Sequence, residues 1–440
     1  MSDHGTLRGY QVDAISGVRD AYRTHRSVLL VLPTGGGKTR VASWIMRSHA
    51  GLGGRVLFLV HRTELVRQTV ATLARDGCTS VRVLAGQEDE GDPCAAITVA
   101  SVQTLLARGI RPEATLVVCD EAHHYVSTEW VELVRHYTDA SVLGLTATPE
   151  RSDGRPMGDL YGVIVAPVSV ADLTRMGHLV PSVVYAPSRR RTALAAHPHE
   201  VLVKRRSEWT RAVVFCANVD HAHDVAAKCT GAGLRAACIH GGSDADERAS
   251  VLARFRAGDL DVVTNVFVLT EGYDDGGIDC AVIARGCSSA GTYLQIVGRV
   301  IRTAPGKTHA IVIDLVGAVH EHGLPDAARA YSLDGKAIRP SSAVAIRQCL
   351  ACGAAYQVGP RVCPRCGVGV PPPPKPRMSR EDLSRVMATH APDRRAQEWQ
   401  KLQATARARG YSEGWSWFRY RAMYGGNPPT KQRLTGMSKW

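Results

Sequence analysis

Ser27-Val28-Leu29-Leu30-Val31-Leu32-Pro33-Thr34-Gly35-Gly36-Gly37-Lys38-Thr39 decides the fold. The run from Ser27 to Leu32 is apolar and branched without a break, as a strand needs to be when a parallel sheet is covered on both faces. Pro33 ends it. Consecutive glycines then let backbone N–H groups converge on one point, and Lys38 opens a helix whose N-terminus adds positive potential there. The stretch reads as a cradle for phosphate oxygens, formed by Thr34, Gly35, Gly36 and Gly37. Lys38 is placed to reach the outer phosphates of a nucleotide, and the Thr39 hydroxyl to ligate Mg²⁺.

Outward from this loop, Arg55 to Val60, Ala96 to Ala100, Leu116 to Cys119 and Val142 to Leu145 read as further buried strands alternating with helices. Asp120-Glu121-Ala122-His123 follows one of them, at the carboxyl edge where open α/β sheets place their ligands. Asp120 is expected to hold Mg²⁺, and Glu121 to orient and deprotonate an attacking water. A second alternation runs through Ala212 to Cys216, Ala236 to Ile239, Asp261 to Val263, Cys280 to Ala284 and Ala310 to Asp314. Two such halves predict two doubly wound, parallel-sheet α/β lobes. In the second, Gln295-Ile296-Val297-Gly298-Arg299-Val300-Ile301-Arg302 carries two cations on one segment.

The expected organisation is lobe one over 1–165, a linker and lead-in over 166–210 and lobe two over 211–325. A cysteine module over 345–370, a proline spacer over 371–376 and a basic tail over 377–440 follow. Cys349-x2-Cys352 and Cys363-x2-Cys366 bracket ten residues, a spacing that fits a four-thiolate zinc ribbon with each pair on a tight knuckle. All four ligands would be protein thiolates, so the role is structural. The other eight cysteines are scattered and read as buried.

Formal net charge is +13. Residues 371–440 hold 14 Lys and Arg against 5 Asp and Glu, so +9 of the excess lies in the tail and favours a polyanionic partner. Trp399, Trp415, Trp417 and Trp440 are also there, four of seven tryptophans. Cations interleaved with aromatics around Trp415 and Arg419 suit phosphate contact with base stacking; a packed helical appendage with a basic face fits the same pattern. The basic clusters Ser188-Arg189-Arg190-Arg191 and Lys204-Arg205-Arg206 read either as a solvated linker or as a surface facing nucleic acid. No apolar stretch approaches membrane-spanning length and no signal-peptide pattern opens the chain, so a cytoplasmic location without a membrane partner is expected.

The ordered segments resemble superfamily 2 helicases of the DEAH type, with the nearest likeness to bacterial and phage helicases of the RadD-like kind, which also carry a cysteine cluster after the motor. The resemblance covers residues 7 to 315 and implies two RecA-like lobes. Leu7-Arg8-Gly9-Tyr10-Gln11 looks like the adenine-reading motif, with Gln11 on the base edge. Val60 to Leu65, with Arg62, and Ala100 to Leu105, with Gln103 and Thr104, look like segments that touch the nucleic-acid backbone. Thr146-Ala147-Thr148-Pro149 is similar to the motif that, with His123, couples hydrolysis to movement. Val213 to Cys216, and His240-Gly241-Gly242 with Arg248, resemble the first motifs of the second lobe. Thr270-Glu271-Gly272-Tyr273-Asp274 looks like the next motif, with Gly272 and Asp274 toward the nucleotide and Asn265 and Thr270 toward the strand. Val266 departs from it, standing where a phosphate-contacting Thr is usual. Gln295, Arg299 and Arg302 match the motif whose arginines reach the γ-phosphate across the cleft, a contribution worth ~10³–10⁵ in rate.

The resemblance therefore implies ATP with Mg²⁺, zinc in the ribbon, and nucleic acid as partner, DNA in preference to RNA. The expected function is an ATP-dependent DNA helicase or translocase. The alternatives are an RNA helicase of the same superfamily, or a non-unwinding ATP-gated subunit that recruits a partner protein, such as a nuclease, through its tail.

Overall fold

The computed structural model describes residues 7–61, 63–78, 80–125, 128–151, 154–191, 193–269, 273, 275–335, 346–349, 351–357, 360–369, 394–408, 414–416 and 419–420. Residues up to Pro371 form one compact unit and Pro372–Trp440 another.

The first unit holds two sheets. In the first lobe β1 (Ser27–Val31), β2 (Val56–Val60), β3 (Val81–Ala85), β4 (Glu88–Glu90), β5 (Ile97–Ser101), β6 (Leu116–Cys119), β7 (Ser141–Thr146) and β8 (Val163–Val165) lie in the order β4-β3-β5-β2-β6-β7-β1-β8. All pairs are parallel except β3 with β4. Every residue of β2, β5 and β6 is buried, as strands covered by helices on both faces must be. The register Val31↔Thr146 and Cys119↔Gly144 sets the carboxyl ends of β1, β7 and β6 side by side. Adjacent strands lie roughly 4.8 Å apart. The phosphate loop, Thr146 and Asp120 therefore share one edge.

The second lobe has β9 (Ser182–Tyr185), β10 (Ala212–Cys216), β11 (Ala236–Ile239), β12 (Val262–Asn265), β13 (Cys280–Ala284), β14 (Ala310–Asp314), β15 (Ile346–Gln348) and β16 (Ala354–Gln357), ordered β11-β12-β10-β13-β14-β9-β16-β15. β10 lies between β12 and β13, both parallel to it, so the strand order reverses there.

All ten strands expected from the sequence are present, and the structure adds six. The stretch 166–210, read as a linker and lead-in, holds the helix Val170–Arg175, β9 and the helix Pro198–Lys204, and β9 pairs with β14 inside the second sheet. This strand is only four residues long, and its neighbours Pro181 and Pro187 read as breakers. Its partner β14 supplies the hydrogen bonds, which no local pattern announces. Likewise the cysteine module does not stand apart from the motor: β16 pairs antiparallel with β9, and β15 with β16. Arg205 fixes this junction, stacking 3.4 Å from the Tyr185 ring centroid and pairing with Glu208 at 2.8 Å. Tyr185 donates to Glu208, and Arg365 of the module reaches the same carboxylate at 3.6 Å.

In the second unit a helix covers Arg394–Ala408. Tyr420 is buried, with its ring edge-on to Trp399 at 5.6 Å.

Candidate nucleotide site between the lobes

A cavity of about 420 Å³ is lined from the first lobe by Arg8, Thr34, Gly35, Gly37, Lys38, Thr39, Leu65, Gln68, Thr69, Asp120 and Glu121, and from the second by Arg299, Arg302, Gly276 and Thr303, with His178 between. That volume suits a ligand of nucleotide size. Its floor is the glycine loop. Gly35 and Gly37 adopt φ +85 and +78, which strain any side chain, and the helix Lys38–Gly51 starts directly after them. A Cβ on Gly37 would meet Gln11 Nε2 at 2.5 Å, and one on Gly36 the Pro33 carbonyl at 2.9 Å. Only glycine leaves the backbone amides open, so the loop fits phosphate oxygens. Thr39 and Asp120 present hard oxygen donors to the same space, the ligand type Mg²⁺ takes.

Lys38 Nζ lies 3.9 Å from Glu121 Oε1. Glu121 itself is left-handed at φ 45, a costly conformation for a non-glycine residue, held in a turn where its carbonyl accepts from His124 N–H. Next to it, His123 joins the lobes. Thr146 Oγ1 donates to the Thr148 carbonyl at 2.8 Å, so its lone pairs face His123 Nδ1 at 3.1 Å. Nδ1 therefore carries the proton, and Nε2 is the acceptor for the Gln295 amide 3.1 Å away. His123 reads Thr146 with one ring nitrogen and the second lobe with the other.

The second lobe presents these groups on the helix Ala290–Val300, whose amphipathic spacing buries Gln295 and Arg299 against the first lobe. Arg299 and Arg302 both donate to the Tyr273 carbonyl, at 2.8 and 3.4 Å, which aims them along the cavity wall. Gly298 lets the helix come close: a Cβ there would lie 2.4 Å from Thr34 Cβ. At the helix start, Glu150 accepts from Gly291 N–H across the cleft at 3.3 Å, and burial lifts its carboxyl above the ordinary range.

Thus Thr34, Gly35, Gly37, Lys38, Thr39, Asp120, Glu121, Arg299 and Arg302 line one cavity; Gly36 lies in the same loop, and Gln295, His123, Thr146 and Thr148 lie behind it. Gln11 is buried, and its carbonyl accepts from Arg8 N–H at 3.0 Å to start the first helix, leaving Nε2 beside Gly37. His178 and Glu150 were not foreseen; Arg8, Tyr10 and Gly298 lie inside motifs read from the sequence but had no role of their own there, and the Tyr10 hydroxyl donates to the Gly36 carbonyl at 3.1 Å. Tertiary packing brings them in, within the first lobe for Tyr10 and across the cleft for Glu150 and Gly298.

The residues expected to face nucleic acid divide. Asn265 is fully buried, donating to the Val214 carbonyl and accepting from Leu269 N–H, and Thr104 is buried, accepting from Gly86 N–H. Both serve the fold at these positions. Gln103 is exposed, tied to His61 and Ser101. Trp415 is half-buried and Arg419 exposed. Arg62, Thr270, Gly272 and Asp274 lie outside the described residues. Among the basic clusters, Arg205 and Arg206 pair with Glu208 and Asp261, and Arg190 with Glu321, so these cations are spent within the lobe.

Cys349, Cys352, Cys363 and Cys366 bring their sulfurs within 4.8 Å of one another. Cys349–Cys366 and Cys352–Cys363 are 3.7 and 3.8 Å apart. Tetrahedral coordination at a Zn–S length of about 2.3 Å requires sulfurs about 3.8 Å apart. Gly353 and Gly367, both at positive φ, close the two knuckles by donating to the carbonyls of Cys349 and Cys363. The geometry fits zinc. Among the described residues no helix is long and apolar enough to cross a membrane.

Comparison with known proteins agrees with this layout. Residues 4–151 match the family model described as the res subunit of type III restriction enzymes, and residues 194–304 the helicase conserved C-terminal domain. IRC3 of Saccharomyces cerevisiae, whose name describes an ATP-dependent helicase, is 27% identical over 71% of this chain, and the match spans 52% of its own length. The Sulfurisphaera tokodaii protein named DNA 3'-5' translocase XPB2 is 24% identical over 72% of this chain and 82% of its own. An HsdR-type subunit of a type I restriction enzyme from Vibrio vulnificus shares the fold, with a TM-score of 0.59 at 22% identity over 76% of this chain and 68% of that one.

Two outcomes follow from the geometry. Gly298→Ala adds a methyl where Thr34 already sits, so ATP turnover is expected to fall by roughly one to two orders of magnitude while melting temperature holds, because alanine favours a helix by about 1 kcal/mol over glycine. Steady-state kinetics beside thermal melting check this; unchanged turnover would mean that the lobes need not approach so closely. Elemental analysis is expected to return one zinc per chain, lost when Cys349 and Cys352 are both replaced by serine.

Proposed function

Because the chain belongs to the superfamily 2 helicases, which are nucleic-acid-dependent ATPases, we propose that it is an ATP-driven DNA helicase or translocase whose hydrolysis is gated by closure of the two lobes. The observation that carries this reading is one cavity with the phosphate loop on one wall and Arg299 and Arg302 on the other. Lys38 and the loop amides bind the phosphates, and Thr39 with Asp120 would hold Mg²⁺, which when bound offsets the phosphate charge. Glu121 takes the proton of the attacking water as that water bonds to the terminal phosphorus and the bond to the departing diphosphate breaks. Arg299 and Arg302 stabilise the charge on the transferred group, a task they perform only when their helix is seated. His123, reading Gln295 on one side and Thr146 on the other, passes the state of one lobe to the next. DNA is favoured over RNA by the restriction-enzyme and DNA-translocase names among the relatives, and the +9 tail supplies the polyanion affinity either strand needs. The cysteine ribbon is built onto the second sheet, where zinc would hold its two knuckles together. The likeness to RadD-like bacterial and phage helicases belongs to the same reading.

Steady-state ATPase measured without nucleic acid and with single-stranded DNA, duplex DNA, forked DNA and RNA tests it, together with strand displacement by the purified chain. Stimulation by DNA well above that by RNA, with displacement of a forked strand, is expected. Stimulation by RNA alone would transfer the assignment to RNA. Stimulation without displacement would leave a translocase or an ATP-gated recruiting subunit.

A further inference from the structure

We propose that Phe267 is a nucleobase-stacking contact of the second lobe, gripping one base of the strand on which the motor moves; this rests on the nucleic-acid motor reading above. Among the described residues the non-glycine positions with positive φ are Glu121 and Phe267. Glu121 lies in the nucleotide cavity. Phe267, at φ 59, has no such assignment, yet a bulky aromatic in the left-handed region persists only where its surroundings force it.

The forcing elements are visible. Asn265 ends β12 fully buried, its Oδ1 accepts from Leu269 N–H at 3.2 Å, and its amide donates to the Val214 carbonyl of β10 at 3.1 Å. Leu269 is buried as well. The turn is thus pinned at both ends, Val266 and Val268 pack partly into the lobe, and the residue left to face outward is Phe267, 51% exposed. A polar or glycine residue would occupy that place at less cost; an exposed phenylalanine there offers a ligand an apolar face.

Position and charge say which ligand. Phe267 follows β12 and Arg285 follows β13, the two neighbours of β10, so the pair spans the end of β10 where the strand order reverses. Open α/β sheets bind their ligands in that crevice, outside the carboxyl ends of the strands. The Arg285 guanidinium carbon lies 3.7 Å from the Phe267 ring centroid, holding the ring from one side. A flat π-face beside a fixed cation matches a base with its phosphate, and each stacked base adds affinity whatever its sequence.

Binding of a single-stranded oligonucleotide, compared with an abasic strand of equal length that keeps only sugar and phosphate, tests the inference. Phe267→Ala is expected to weaken binding of the base-bearing strand by roughly five- to a hundred-fold and to leave the abasic strand unchanged; Phe267→Trp is expected to restore the difference. Phe267→Gly, which relieves the left-handed strain, is expected to melt no lower than wild type while binding as weakly as the alanine variant, which separates loss of contact from loss of fold. Equal affinity of wild type and Phe267→Ala for the base-bearing strand, or equal loss on both strands, would overturn the stacking role alone. A wild-type protein that binds neither strand would overturn the motor reading with it.

Discussion

The seat of the helix Ala290–Val300 against the phosphate loop is the constraint on which the rest depends. Gly298 gives the backbone room over Thr34, Gln295 hydrogen-bonds His123, and the Glu150 carboxylate takes the Gly291 N–H at the helix start. Three contacts along one helix fix its height, rotation and end. Arg299 and Arg302 are long side chains with much rotamer entropy, and they arrive at the cavity wall with a defined aim because Tyr273 and the helix hold them. Gln295, Gly298 and Arg299 ride on one helix, with Arg302 just beyond its end, so a shift of that helix would move them together.

The rest of the architecture serves that seat. Parallel strands put every loop of consequence at the carboxyl edges, and the registers of β1, β6 and β7 decide that phosphate loop, acid pair and Thr146 are neighbours. The chain passes back over the first lobe after the second: Tyr331 and Leu333 pack on the first core, and the Leu333 carbonyl accepts from Gly158 N–H. The cysteine hairpin extends the second sheet, so zinc, where bound, would stiffen an edge of the second lobe. Positive φ is confined to Glu121 and Phe267 among the described non-glycine residues, one lining the cavity between the lobes and one facing outward.

Much of this was legible because the chemistry is local. Glycines and Lys-Thr after a strand, two acids after another, and paired cysteines at fixed spacing need few neighbours to declare themselves. The arginines were readable for the same reason, as a short motif, although their meeting with the loop is a tertiary fact. What the sequence hid depends on partners far along the chain. β9 is a strand only because β14 and β16 flank it. Asn265 looked like a strand-facing amide, yet burial turns it into the clamp of a turn. Glu150 and His178 carry no pattern of their own, and the cations Arg205 and Arg206 look solvated until Glu208 and Asp261 are seen beside them.

The central claim is that arginines from the second lobe complete a site whose binding groups lie in the first. Measuring ATP turnover and nucleotide affinity separately for Arg299→Ala and Arg302→Ala, with nucleic acid present, tests it most directly. Turnover is expected to drop by roughly 10³-fold or more with affinity nearly kept, because the phosphate loop, Lys38 and Thr39 remain. Turnover within a few-fold of wild type in both variants would contradict the two-lobe site.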